Sequence, residues 1–172
     1  MSEYPVIVLV GPPAVGKSTV GAALATRLGI GFCDVDEVIE AEQGRAITEI
    51  FAELGEPGFR SLELDATMAA LSAGGVVALG GGAVTNAALR SALEAHQVIW
   101  LRTTAQEAVQ RVGASTTRPL LNGDVAGNWT RLAAERAPLY EQVATVAVDT
   151  AGRSPTGIVD EIISLLAIQE PS

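Results

Sequence analysis

Five short runs rich in apolar and β-branched residues punctuate the chain, and the tracts between them place apolar positions three and four apart. The runs are Val6-Ile7-Val8-Leu9-Val10, Phe32-Cys33-Asp34-Val35, Val76-Val77-Ala78-Leu79, Gln97-Val98-Ile99-Trp100-Leu101 and Thr145-Val146-Ala147-Val148. The first is apolar throughout rather than alternating, as a strand buried on both faces requires. Strand and helix signals in alternation predict an α/β fold with a mostly parallel sheet. Helices are expected over 18–28, over 37–71 in several pieces broken near Gly44 and again at 55–58, then over 86–95, 104–112, 128–140 and from 155 onward. Asn86 is a suitable N-cap, and Ser154-Pro155 combines an N-cap with proline at the first helical position. Residues 113–127 lose periodicity while carrying Arg118-Pro119, glycines and small polar residues, the composition of a mobile loop.

A length of 172 residues, 48% of them hydrophobic, suits one well-filled core and is short for two, so a single domain over 1–172 is expected. The single cysteine, Cys33, excludes an intrachain disulfide. No charged start with an apolar core follows the signal-peptide pattern, and no stretch is apolar for the ~18 residues of a membrane span. A cytoplasmic protein is the expectation. The net charge of -9 repels nucleic acid and anionic membranes, so any anion must meet a local positive site. Basic residues number 11, and Lys17 is the only lysine among them.

That lysine falls in Gly11-Pro12-Pro13-Ala14-Val15-Gly16-Lys17-Ser18-Thr19, a G-x-x-x-x-G-K-S stretch between the first strand and the first helix. In this context backbone N–H groups and the helix N-terminus converge on phosphate, the lysine reaches the β- and γ-phosphates, and the serine hydroxyl serves Mg²⁺. Pro12 and Pro13 have no N–H, so the donors must come from Ala14, Val15, Gly16, Lys17, Ser18 and Thr19. Ala14 is expected at negative φ, because a Cβ in the left-handed region costs about 1–3 kcal/mol.

Three further features carry chemistry. Asp34 and Asp36 stand two apart where the second strand runs out, which puts both on one face at the carboxyl end of the sheet, where ligands bind. They can hold Mg²⁺ through water and orient a hydroxyl, or cap the next helix at Glu37, and neither role excludes the other. Gly80-Gly81-Gly82 is either a tight turn or a place where backbone approaches a ligand, and it lacks the spacing of a dinucleotide fingerprint. Arg60, Arg118 and Arg136 carry guanidinium forks suited to carboxylate and phosphate, although composition alone does not assemble them. His96 is isolated and reads as a surface residue, and Cys33 as core. Phe51 and Phe59 read first as packing, Trp100 as buried, and Trp129 as a reporter on the adjacent loop.

Taken together, Gly11 to Thr19, Asp34-Val35-Asp36, Gly44-Arg45, Ile50-Phe51, Gly55-Glu56, Phe59-Arg60, Gly80-Gly81-Gly82-Ala83-Val84, Thr117-Arg118-Pro119-Leu120-Leu121 and Arg136-Ala137-Pro138-Leu139-Tyr140 resemble the shikimate kinases, in order and over almost the whole chain. The resemblance implies a three-layer αβα P-loop kinase fold of the nucleoside-monophosphate-kinase type, with a five-stranded parallel sheet, a shikimate-binding helical region at about 37–72 and a lid at about 113–127. It implies transfer of the ATP γ-phosphate to the 3-hydroxyl of shikimate, on the route to chorismate and aromatic amino acids. By the same resemblance Lys17, Asp36 and Arg118 are catalytic, and Ser18 and Asp34 serve Mg²⁺. Asp36, Phe51, Phe59, Arg60, Gly80, Gly81, Gly82 and Arg136 hold shikimate, while Arg111, Arg153 and Pro155 border adenine. The partners implied are ATP, ADP and shikimate, acting on a monomer without nucleic acid or membrane. Another small-metabolite kinase, such as a gluconate kinase, would share the P-loop without needing Asp36, Arg60 and Arg136 together. A nucleotide-binding regulatory module would not need Lys17, Asp34, Asp36 and Arg118 intact.

Overall fold

Strands β1 (Ile7–Val10), β2 (Phe32–Asp34), β3 (Val76–Ala78), β4 (Gln97–Arg102) and β5 (Val146–Asp149) form one parallel sheet in the order β2-β3-β1-β4-β5. The computed structural model describes residues 6–112 and 124–171. Among these, seven α-helices flank the sheet: α1 (Lys17–Leu28), α2 (Val35–Gln43), α3 (Ile47–Ala73), α4 (Ala87–Leu93), α5 (Ala105–Val112), α6 (Val125–Val143) and α7 (Pro155–Leu166). The expected α/β class with five parallel strands is the fold observed.

Burial explains the unbroken apolar runs. Along β1, Val8 and Val10 join a core with Val35 and Ile39 of α2, Phe59 and Leu71 of α3, Leu89 of α4 and Tyr140 of α6. Ile7 and Leu9 face the other way, into a core built by Val20 and Leu24 of α1 and Ile158 and Ile162 of α7. A strand covered on both sides must be apolar at every position, and the sheet is thereby sandwiched between two helical layers. Central β1 lies between β3 and β4, with Val8 beside Val77 on one side and Val98 on the other. Because the chain turns to one side after β1 and to the other after β3, a crevice opens at the carboxyl end of β1, where the phosphate loop begins.

Several boundaries differ from the sequence expectation. The second strand ends at Asp34, and Val35 and Asp36 already belong to α2, because the Asp34 carboxylate accepts from the Glu37 N–H and starts a helix there. Asp34 and Asp36 are therefore cap and first-turn residues, not alternating strand positions. Helix α6 begins at Val125, earlier than the expected 128, because Asp124 caps it by accepting from Gly127 N–H; this places the last residues of the expected 113–127 loop inside a helix. Trp100 is half-buried, its ring packed on Tyr140 with centroids 5.8 Å apart, and the Arg102 guanidinium lies 5.4 Å from its centroid. The break anticipated at 55–58 is a kink at Gly55 (φ 71°, ψ 176°), which leaves Pro57 in the first turn of the helical segment beyond the kink, where its missing N–H does least harm. The Asn86 and Ser154 caps are as expected, accepting from Ala88 and Gly157 N–H groups.

At the opposite edge of the sheet Gly75 leads into β3 at φ 87°, and a Cβ built on it would stand 2.5 Å from the Gly31 carbonyl oxygen, which itself accepts from Val76 N–H. Gly75→Ala is predicted to destabilise the protein by roughly 1–3 kcal/mol, read from urea unfolding midpoints, with nucleotide affinity unchanged because the site lies at the other end of the strands.

Candidate active site

The loop from β1 to α1 wraps around its own lysine. Lys17 Nζ donates to the carbonyls of Gly11 at 2.7 Å and Pro12 at 2.9 Å, and Gly16, at φ 99°, caps α1. Ala14 has φ 63°, so the expectation of negative φ is wrong. The physical reason lies outside the loop. Its carbonyls are held by distant donors: Pro13 O by Trp129 Nε1 at 2.8 Å, Ala14 O by Arg111 Nη1 at 3.1 Å and Val15 O by Thr150 Oγ1 at 3.1 Å. The Ala14 side chain also packs against the small cluster of Ala108, Trp129 and Leu132. These contacts offset the about 1–3 kcal/mol that a left-handed alanine costs.

A cleft of about 480 Å³ runs along the carboxyl edge of the sheet, lined by residues of the loop (Ala14 to Thr19), by Asp34 and Asp36, by Gly80 and Gly81, and by Arg111, Arg153 and Pro155. It brings the expected phosphate, metal and adenine residues together. Ser18 Oγ donates to the Asp34 carboxylate, so two hard oxygen donors sit side by side next to Lys17. That pair fits Mg²⁺, which keeps waters and phosphate oxygens for its remaining positions. Arg153 is held by the carbonyls of Asp149 and Gly157 and by Glu161, and Arg111 by Glu107 and the loop.

Next to this cleft a second group of charges gathers around the glycine turn. A Cβ on Gly80 would stand 2.9 Å from Asp36 Oδ1 and 3.0 Å from Glu63 Oε2, and one on Gly82 would overlap the Arg60 guanidinium at 2.1 Å. The missing side chains at Gly80 and Gly82 leave the space that these charged side-chain ends occupy. Gly81 in turn packs against Pro13, and its carbonyl accepts from the Tyr140 hydroxyl at 2.5 Å. Arg60 Nη1 donates to Glu63 at 2.9 Å and Nη2 to Glu56 at 3.4 Å. Phe59, beneath Arg60, packs on Phe51 with centroids 4.8 Å apart. Arg136, only 6% exposed, lies one turn from Tyr140 on the buried face of α6 and lines a separate cavity of about 360 Å³ between α3 and α6. Arg60, Gly82, Phe51, Phe59 and Arg136 therefore do not line the main cleft; Arg60 stands beside it, paired with Glu63, which shares the Gly80 surface with Asp36. Arg118 lies outside the described residues.

Glu63 is the residue that sequence reasoning missed. It is 1% exposed on an α3 stripe of Phe59, Ala66, Thr67, Ala70 and Leu71, and its Oε2 has no hydrogen-bond partner among the described residues. An acidic residue inside an otherwise apolar helical stripe, three residues after Arg60, is the signal that could have found it. Trp129, Tyr140 and Thr150 were likewise invisible as site residues, since each acts on a backbone carbonyl distant in sequence. Burial and the neighbouring Asp34 and Glu37 push the Cys33 thiol up, away from the reactive thiolate. His96 is half-buried beside Arg90 and Glu94, remote from the cleft.

A lysine-bearing phosphate loop facing carboxylates across the crevice of a parallel sheet defines a P-loop phosphotransferase. Comparison with known proteins narrows that class. The family model for shikimate kinase matches residues 13–167. A shikimate kinase of Mycobacterium tuberculosis (strain ATCC 25177 / H37Ra) is 49% identical over 98% of this chain and 97% of its own length. One from Streptomyces coelicolor is 47% identical, covering 96% of this chain and 98% of its own. Among solved structures, a shikimate kinase from Acinetobacter baumannii in complex with shikimate superposes with a TM-score of 0.93 at 36% identity, covering 96% of this chain and 94% of that one. The chain belongs to the shikimate kinase family.

Glu63 gives the site a pH signature. Burial raises its carboxyl pKa to about 7, with Asp36 pushing the same way and Arg60 and Arg136 opposing. The native protein thus holds this proton more tightly than the unfolded chain. Its contribution to stability is full below the ordinary value of 4.5, falls as pH rises through about 7, and is flat above that. The stability of the wild type relative to Glu63→Gln is predicted to drop by roughly 3 kcal/mol between about pH 4.5 and pH 8, measured by urea unfolding. A pH-independent difference would contradict the assignment.

Proposed function

We propose that this protein phosphorylates shikimate, transferring the γ-phosphate of ATP to its 3-hydroxyl and releasing ADP. The observation that carries this reading is the adjacency of Asp36 to both halves of the site: it lines the phosphate cleft and also shares the Gly80 surface with Glu63, which holds Arg60. An acceptor that is a small polyol carboxylate needs a guanidinium fork for its carboxylate and polar partners for its hydroxyls. Arg60 and Arg136 supply the forks, Asp36 meets the reacting hydroxyl, and Gly80 to Gly82 let backbone approach the ring. Phe51 and Phe59 wall the same side.

Phosphoryl transfer passes through a loose transition state in most analyses, so positioning and charge neutralisation dominate. The N–H groups from Ala14 to Thr19 cradle the phosphates, and Lys17 exchanges its loop carbonyls for phosphate oxygens. Ser18 and Asp34 would hold Mg²⁺, which when bound offsets the charge of the β- and γ-phosphates. Asp36 accepts the proton of the acceptor hydroxyl as it attacks. Arg111, Arg153 and Pro155 border the adenine. In this reading residues 37–72 form the acceptor-binding region, and residues around 113–127 form a lid that brings Arg118 to the phosphates and excludes water. The protein works as a cytoplasmic monomer; among the described residues no helix is long and apolar enough to cross a membrane.

A coupled ADP-release assay over shikimate, quinate, gluconate and nucleoside monophosphates is predicted to give turnover with shikimate alone. Turnover with gluconate would assign another acceptor class, and none with any acceptor would favour a regulatory module. Asp36→Asn is predicted to lower kcat at least a hundredfold while ADP still binds, on the usual scale of general-base loss. Arg136→Ala is predicted to raise KM for shikimate by roughly tenfold or more with little change for ATP. A selective loss of ATP affinity would place Arg136 on the wrong ligand.

A further inference from the structure

The phosphate loop has few internal means of holding its shape. Pro12 and Pro13 bring no N–H, Ala14 stands at φ 63°, and the Lys17 ammonium is shared between two carbonyls that it must leave for phosphate. The remaining support is supplied from other elements. Thr150 divides its hydroxyl between the carbonyls of Val15 and Arg102, and the Arg111 side chain is 37% exposed and also paired with Glu107. Trp129 differs from both. It is 5% exposed, its single N–H lies 2.8 Å from the Pro13 carbonyl, and its ring is the largest member of the cluster around the Ala14 methyl.

We propose that Trp129 is a positioning residue for the phosphate loop: from α6 it fixes the Pro13–Ala14 peptide, so that the left-handed turn and the N–H groups after it are set for the triphosphate before nucleotide arrives. The indole contributes in two ways. Its N–H satisfies a carbonyl beside two residues that have no N–H of their own, and its face backs the alanine that a relaxed loop would turn away. Helix α6 is anchored apart from this cluster by Arg136 and Tyr140 on the same buried face, and Tyr140 reaches Gly81 through its own hydroxyl. Loss of the Trp129 donor therefore frees the loop without displacing the acceptor side. Arg111 acts on the next carbonyl from α5, so α5 and α6 grip consecutive peptides of one turn. The inference rests on the reading of Gly11 to Thr19 as the ATP site.

Trp129→Phe keeps an aromatic ring and removes the N–H. KM for ATP and the Kd of Mg-ADP, the latter by calorimetry, are expected to rise roughly tenfold, with KM for shikimate within about twofold, as for a buried acceptor left unpaired. Glycine adopts the φ of Ala14 without strain, so in an Ala14→Gly background the same substitution is expected to change Mg-ADP affinity by about threefold or less. Unchanged nucleotide affinity in Trp129→Phe overturns the proposal. So does an equal loss for both substrates that Ala14→Gly leaves intact, which is the behaviour of a core residue alone. If Trp129→Phe fails to fold, the Trp129 indole N–H of the nucleotide-free wild type, followed by proton NMR, is expected to exchange with deuterium at least tenfold more slowly than a free indole; exchange at the free rate also overturns the proposal. Failure of the wild type to bind Mg-ADP overturns the ATP-site reading itself, and with it the proposal.

Discussion

Two carboxylates and two guanidiniums must coexist in almost no space at the carboxyl edge of the sheet. Asp36 and Glu63 both press on Gly80, Arg60 presses on Gly82, and Arg136 closes the group from α6. Burial of this kind is tolerated only where opposite charges and hydrogen bonds answer each other. Here the answer is incomplete: among the described residues one oxygen of Glu63 and the Arg60 Nε have no hydrogen-bond partner. Burial, with Asp36 beside it, raises the Glu63 carboxyl, and of the three glycines Gly81 is the one pressed by a rigid neighbour, the Pro13 ring. A site with fixed guanidiniums and little spare room is one that an anionic, hydroxyl-bearing acceptor completes.

The nucleotide half obeys a different constraint. In a protein of net charge -9, ATP can be held only where cations and backbone dipoles are concentrated, and the parallel sheet provides that place by ending all its strands at one edge. The loop there contains residues poorly suited to hold it, namely two prolines and a left-handed alanine. Its conformation is a tertiary property, sustained by α5, α6 and the residue following β5. The two halves meet at Gly81, which packs on Pro13 and is bonded by Tyr140, so the loop and the charge group share one wall.

What the sequence reveals and what it hides divide along the same line. Features that depend on neighbours in the chain are legible: the phosphate loop, the Asn86 and Ser154 caps, the continuous apolar strands and the hinge at Gly55. Asp34-Val35-Asp36 is ambiguous at that level, because an Asp that ends a strand and one that caps a helix look alike until the Glu37 N–H is seen to bond it. Ala14 misleads because local sterics argue against φ > 0 while the compensating donors come from about 100 residues away and more. Glu63 escapes because its meaning depends on which face of α3 is buried. Trp100 is less buried than Ile99 and Leu101 on either side of it, with its ring between Tyr140 and the Arg102 guanidinium.

Under the proposed function the charge group around Gly80 to Gly82 presents one hydroxyl of shikimate to the phosphate loop. Phosphorus-31 and proton NMR of ATP, Mg²⁺ and shikimate incubated with the protein tests that role most directly. The expected spectrum holds a single phosphate monoester whose phosphorus couples to the ring proton at carbon 3, with one ADP formed per ester. Inorganic phosphate as the main product, or an ester at another hydroxyl, would contradict it.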